Sequence, residues 1–131
     1  MGKILIVDNA PQLRQIFEKL LTAEGHKVKA AASGEAAISM VNAEMPDLVI
    51  MGVRMPGMSG LEALRAIHEI EPKLPVIIMT AGITETAIEA TKFGAFAYVL
   101  KPPDIPDLLA LIGQAMEAGR FMRRKRRHGP S

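Results

Sequence analysis

The run Asp47-Leu48-Val49-Ile50-Met51 carries no polar alternation. That is the pattern of a strand covered on both faces, which belongs to a parallel sheet flanked by helices. Pro75 to Met79 (PVIIM) repeats it, and Lys3 to Val7 (KILIV) is a short β-branched version. Between these runs the apolar spacing turns helical. Leu13, Ile16, Phe17, Leu20 and Leu21 follow Pro11 and stop at Gly25, while Ala37, Met40 and Val41 follow a Ser33 cap and stop before Pro46. Leu61, Leu64, Ile67 and Ile70 follow the capping box Ser59-x-x-Glu62. Further strands are read at Val28 to Ala32 and Phe96 to Leu100, and a short helix over about Thr84 to Phe93 ends at Gly94. A last helix, capped by Asp104 with Pro106 in its first turn, uses Leu108, Leu111, Ile112, Ala115 and Met116.

Five βα units result. Right-handed crossovers between parallel strands leave few topologies, so the chain is predicted to be an α/β protein. The expected architecture is a doubly wound, five-stranded parallel sheet of flavodoxin-like order 2-1-3-4-5. A length of 131 residues with 49% hydrophobic and 23% charged residues suits one globular domain and excludes a disordered chain. Absence of cysteine removes disulfides, thiolate metal sites and cysteine nucleophiles. With no secretory signal and no long uncharged apolar stretch, the reading expects a soluble, cytoplasmic protein with no membrane partner.

Charge is unevenly spread. Residues 120 to 131 hold Arg120, Arg123, Arg124, Lys125, Arg126 and Arg127 and no acid, whereas the other 119 residues hold ten bases against fourteen acids. The division expected is therefore a domain over 1–119 and a basic tail or linker over 120–131. The tail reads as a solvated extension favoured by the helix dipole, as a linker to an effector domain, or as a basic arm touching nucleic acid or an acidic protein. His26, His68 and His128 sit at no shared metal-ligand spacing and are predicted to lie on the surface. Met40, Met51 and Met79 are expected to fill the core, and Met55 and Met58 to flank the central loop, where a partner is one reading.

Open parallel sheets place function at the carboxyl ends of their strands. Asp8 and Asn9 stand there after the first strand, Gly52 and Arg54 after the third, Thr80 after the fourth and Lys101 after the fifth. The first turn reads Asp8-Asn9-Ala10-Pro11 and lacks the glycine-rich phosphate fingerprints, which disfavours a nucleotide-binding fold.

The segments KILIVDNA, AASGEAA, PDLVIMGVRMPGMSG, LPVIIMTA and GAFAYVLKP, in that order, resemble the receiver domain of two-component response regulators over residues 3 to 119. Within that family the chain looks most like the receivers of NtrC-like transcriptional activators and of small phosphorelay intermediates. The resemblance implies phosphoryl transfer from a partner's phosphohistidine to an aspartate at the end of the third strand, assisted by Mg²⁺. By the same resemblance Asp8 matches an acidic-pocket position, Thr80 the pocket hydroxyl, Lys101 the pocket cation, Tyr98 the aromatic switch, and the Arg54 carbonyl a metal ligand. Lys101-Pro102 matches a peptide bond that is cis in the family. The implied partners are a histidine kinase or phosphotransfer protein and an effector domain, with homodimerisation through the fourth helix, fifth strand and last helix, roughly Thr84 to Ala115.

Two positions depart from the family. Gly52 stands where the acceptor aspartate belongs, and Asn9 replaces the second acid. Three carboxylates within ~5 Å repel by a few kcal/mol per pair at an effective dielectric near 20, a repulsion that Mg²⁺ offsets. With only Asp8 and Lys101 charged, the pocket is formally neutral. The expectation is a pseudo-receiver that is no enzyme, binds Mg²⁺ weakly or not at all, holds Lys101 against Asp8 or water, and works as a protein-binding module. Rival readings are an active phosphoryl acceptor, through Asp8 or because Gly52 is artificial, and a DNA-associated regulator acting through the tail. Blander roles stand beside these: Asp8 as a helix N-cap, Lys101 as a solvated lysine, Thr80 as a loop residue, and Tyr98 as packing under the last helix. Pro103 stands where the family has a bulky apolar residue.

Overall fold

A computed structural model describes residues 2–81 and 92–128, with side chains through residue 122. Among the described residues nine elements follow one another: β1 (Lys3–Val7), α1 (Pro11–Ala23), β2 (Lys27–Ala31), α2 (Gly34–Ala43), β3 (Leu48–Gly52), α3 (Gly60–Ile70), β4 (Val76–Thr80), β5 (Ala97–Leu100) and α4 (Ile105–His128). The helix expected over about Thr84 to Phe93 lies outside the described residues except for its last two.

The strands form one sheet of order β2-β1-β3-β4-β5, and every neighbouring pair is parallel, as the apolar runs imply. β3 and β4 are buried at every residue, which is why neither shows polar alternation. Alternate residues feed two cores. Leu5, Val7, Val49, Met51, Val76 and Ile78 face α2 and α3, whereas Ile4, Ile6, Leu48, Ile50, Ile77 and Met79 face α1 and α4.

Helix starts follow local chemistry. The Ser59 hydroxyl accepts the Glu62 amide at 3.2 Å and the Glu62 carboxylate accepts the Ser59 amide at 3.1 Å, which completes the capping box of α3. Ser33 caps α2, and Asp104 accepts the Asp107 amide in the first turn of α4. α4 continues through Gly119, so the basic run from Arg120 to Arg127 belongs to the same helix as the residues packed on the sheet.

Two side-chain expectations are corrected. His68 is half-buried: its ring nitrogens lie 3.1 Å from the Phe93 carbonyl oxygen and 3.0 Å from that of Leu74, tying α3 to the turn before β4 and to the lead-in of β5. His26 is also half-buried and accepts the Gly2 amide through Nδ1 at 3.2 Å. Met55 and Met58, beside the β3–α3 loop, are partly buried against the α2–α3 core. The fold follows the hydrophobic pattern; the histidines do not, because their partners are backbone groups that no side-chain periodicity marks.

Candidate functional site

Strand register assembles the site. Val7 pairs with Met51, Gly52 with Met79, and Thr80 with Leu100, so the residues that end or follow these strands stand side by side at one edge of the sheet. Observed β3 and β4 each run one residue further than the sequence pattern suggests, making Gly52 and Thr80 the last residues of their strands. Lys101 is held next to them by its amide, which donates to the Thr80 carbonyl at 2.9 Å. The Lys101–Pro102 peptide bond is cis.

Asp8 is the centre of the arrangement. It is 2% exposed, and its amide donates to the Ala31 carbonyl at 3.1 Å. One carboxylate oxygen, Oδ1, accepts the Ala10 amide at 2.9 Å, and the other, Oδ2, takes the Lys101 ammonium at 3.0 Å. The Lys101 side chain is 29% exposed and reaches the buried carboxylate from the rim. This pair spans 93 positions of sequence and joins β1 to the β5–α4 connection.

The local hydrogen bonds also decide Asp8's structural role. α1 is preceded by Ala10 and receives no side-chain cap, so Asp8 is not its N-cap. It closes an Asx-turn onto the residue two positions on. Every buried side-chain polar atom among the described residues has a partner, consistent with the cost of leaving such a group unpaired.

Gly52 explains how the pair fits. A Cβ built on Gly52 would lie 2.6 Å from Asp8 Oδ2 and 3.3 Å from its Cγ, well inside contact distance. The Asp8 carboxylate and the start of a side chain at position 52 thus compete for the same volume. Gly60 is required for a related reason. Its amide donates to the Val53 carbonyl at 2.8 Å, and any Cβ there would overlap the Gly52 carbonyl, so the β3–α3 loop closes directly over the end of β3.

The other sequence candidates are placed less centrally. Thr80 is buried at the site, whereas Asn9 and Arg54 are exposed. Tyr98 is 46% exposed and pairs in register with Ile78, on the face opposite α4, so it does not pack under the last helix. Sequence reasoning missed Arg14, whose guanidinium donates to the Asp8 carbonyl at 2.6 Å. The available signal was a cation in the first turns of α1, where the helix dipole disfavours positive charge unless an acceptor is near.

The donor set does not fit a divalent cation. Asp8 supplies one carboxylate, already bonded to an amide and an ammonium, and among the described residues no three acidic or histidine side chains converge. An ammonium 3.0 Å from the carboxylate occupies the electrostatic role such a cation would take.

Residues 4–113 match the family model of the response regulator receiver domain. The chain is 36% identical over 129 residues to the regulatory protein AtoC of Escherichia coli, covering 98% of this chain and 28% of that protein. It is 40% identical over 116 residues to the DNA-binding transcriptional regulator NtrC of Proteus hauseri, covering 88% and 24% respectively. The chain therefore spans about a quarter of the length of these relatives. Among solved structures, a response regulator receiver domain protein from Clostridium thermocellum superposes with a TM-score of 0.87 at 34% identity, covering 93% of this chain and 99% of that one. Sheet order, site geometry and sequence together place this chain in the response regulator receiver domain family.

Proposed function

We propose that this chain is a pseudo-receiver, a protein-binding module of two-component signalling that works without accepting a phosphoryl group and is not itself an enzyme. The observation that carries this reading is the volume beside Gly52: the Asp8 carboxylate sits where an acceptor side chain would begin, and Lys101 neutralises it. An in-line acceptor needs a free carboxylate oxygen and a cation to take up charge on the equatorial oxygens. Asp8 offers neither, because one oxygen holds an amide and the other an ammonium. Mg²⁺ has no role in this reading.

Binding would use surfaces the fold leaves open. Phe96, Tyr98 and Leu100 expose apolar side chains at alternate positions leading into and along the edge strand β5, and Ile16 does so on α1. The β5 side suits an effector domain or a second copy of the chain, and the α1 side a histidine kinase or phosphotransfer protein, for which this chain would compete with an intact receiver. The similarity to NtrC, a DNA-binding transcriptional regulator, points to transcription control as the output.

Incubation with acetyl phosphate and Mg²⁺ followed by intact-mass measurement tests the proposal. An unchanged mass is expected, together with an unfolding temperature indifferent to Mg²⁺. A phosphoryl adduct on the unmodified chain overturns it.

A further inference from the structure

At the opposite end of the sheet from Asp8, Lys3, Lys27 and Lys29 converge on the α2 face. Lys3 is the register partner of Lys27, and Leu5 that of Lys29, which brings like charges directly opposite one another across the β1–β2 pair. Such an arrangement disfavours folding unless an anion is near. Among the described residues the only acid lining the cavity between them is Glu44, which takes Lys29 at 2.6 Å and Lys3 at 3.3 Å. These two lysines hold the Glu44 carboxyl below its usual range. Among the described residues the ammonium of Lys27 has no acidic partner. Asp47, three residues beyond Glu44, accepts the Lys3 amide at 2.8 Å.

The lysines ring a cavity of about 140 Å³ whose floor is apolar, formed by Leu5, Met40 and Pro46. Such a volume is of the order that accommodates a benzene ring in other proteins. Three cations against one carboxylate, over a floor without hydrogen-bonding side chains, select for a molecule that is anionic at one end and apolar at the other.

We propose that this cavity binds a small carboxylate with an apolar body the size of a benzene ring, the carboxylate held by Lys27 and Lys29 and the body seated on Leu5, Met40 and Pro46. The site is independent of the pocket at the carboxyl ends of the strands. Glu44 supplies an internal example of its chemistry, since its own carboxylate is bound there by two of the same lysines.

Titration of the isotope-labelled full chain with benzoate, followed by amide chemical shifts, tests the assignment. Saturable shifts are expected around Lys27 to Lys29 and Met40 to Glu44, with benzamide and acetate each weaker by about tenfold or more, because one lacks the charge and the other the apolar body. Lys27→Met should weaken benzoate by about fivefold or more while leaving the unfolding temperature close to that of the parent. Absence of saturable shifts, equal binding of benzamide or acetate, or undiminished binding to Lys27→Met each overturns the proposal.

Discussion

Removing Lys101 and removing the charge of Asp8 are not equivalent, although they break the same ion pair. Lys101→Met strands a carboxylate that is 2% exposed, whereas Asp8→Asn frees an ammonium that can reach water from the rim. Breaking a buried pair costs about 3–5 kcal/mol where the remaining charge has no escape, and partial exposure of the lysine reduces this. Chemical denaturation is expected to show Lys101→Met losing about 2–4 kcal/mol and Asp8→Asn about 1–2 kcal/mol. The reverse order would show that the lysine, not the aspartate, carries the desolvation cost. His26 gives a residue-scale prediction in pH. Burial, aided by the positive charge of the chain's amino terminus, lowers its pKa below the ordinary 6.5. The folded state therefore binds fewer protons than the unfolded one. Its stabilising effect is complete above the unfolded value and is lost as pH falls below about 6.5 through the folded value. Urea midpoints between pH 8 and 5.5 are expected to fall more for the parent than for His26→Asn, which keeps an acceptor for the Gly2 amide without a charge change.

At the scale of elements, α4 carries two glycines with opposite consequences. A Cβ on Gly113 meets nothing within 4 Å, while one on Gly119 lies 3.0 Å from the Pro75 ring. Gly113→Ala is expected to raise stability by about 1 kcal/mol through helix propensity alone, and Gly119→Ala to lose that gain or reverse it by crowding Pro75. Thermal unfolding of the two variants checks the sign. α3 depends on His68 in a way its own periodicity does not reveal. His68→Ala deletes the ring contacts to the Leu74 and Phe93 carbonyl oxygens, at least one of them an N–H hydrogen bond, a loss of about 1–3 kcal/mol. These cases mark how far the sequence can be read. The unbroken apolar runs at β3 and β4 and the capping box at Ser59 and Glu62 encode their elements locally, so a parallel, doubly wound sheet follows from them and from crossover handedness, while its strand order agrees with the family resemblance. Gly119 against Pro75 and His68 across two loops are tertiary facts that no local pattern encodes. The same division holds in the site. Asp8, Gly52, Thr80 and Lys101 were legible because each ends or follows a strand. Arg14 was not, because its acceptor is a backbone carbonyl that a sequence does not single out.

For the whole molecule, the decisive question is what an acidic side chain at position 52 would do to a site organised without one. Gly52→Asp places its Cβ at 2.6 Å from Asp8 Oδ2, so Asp8 must rotate and its contact with Lys101 must loosen. Two carboxylates then face each other at the end of the sheet with one ammonium between them. At an effective dielectric near 20 their repulsion amounts to about 4 kcal/mol for charges ~4 Å apart, which a divalent cation relieves and water relieves only in part. Gly52→Asp is therefore expected to unfold at a lower temperature than the parent in chelator and to regain stability on addition of Mg²⁺, while the parent responds to neither. Phosphoryl acceptance from acetyl phosphate should appear weakly in this variant, because Asn9 leaves the cation short of a ligand. It should become much stronger when Asn9→Asp is added. The two readouts separate two effects: Mg²⁺ response reports charge crowding around Asp8, and acceptance reports the completed donor set. If the single and double variants accept equally, Asn9 has no part in the site. If Gly52→Asp is as stable as the parent without Mg²⁺, Asp8 and position 52 do not compete for space, and the pairing of Asp8 with Lys101 is not what fills the acceptor's place.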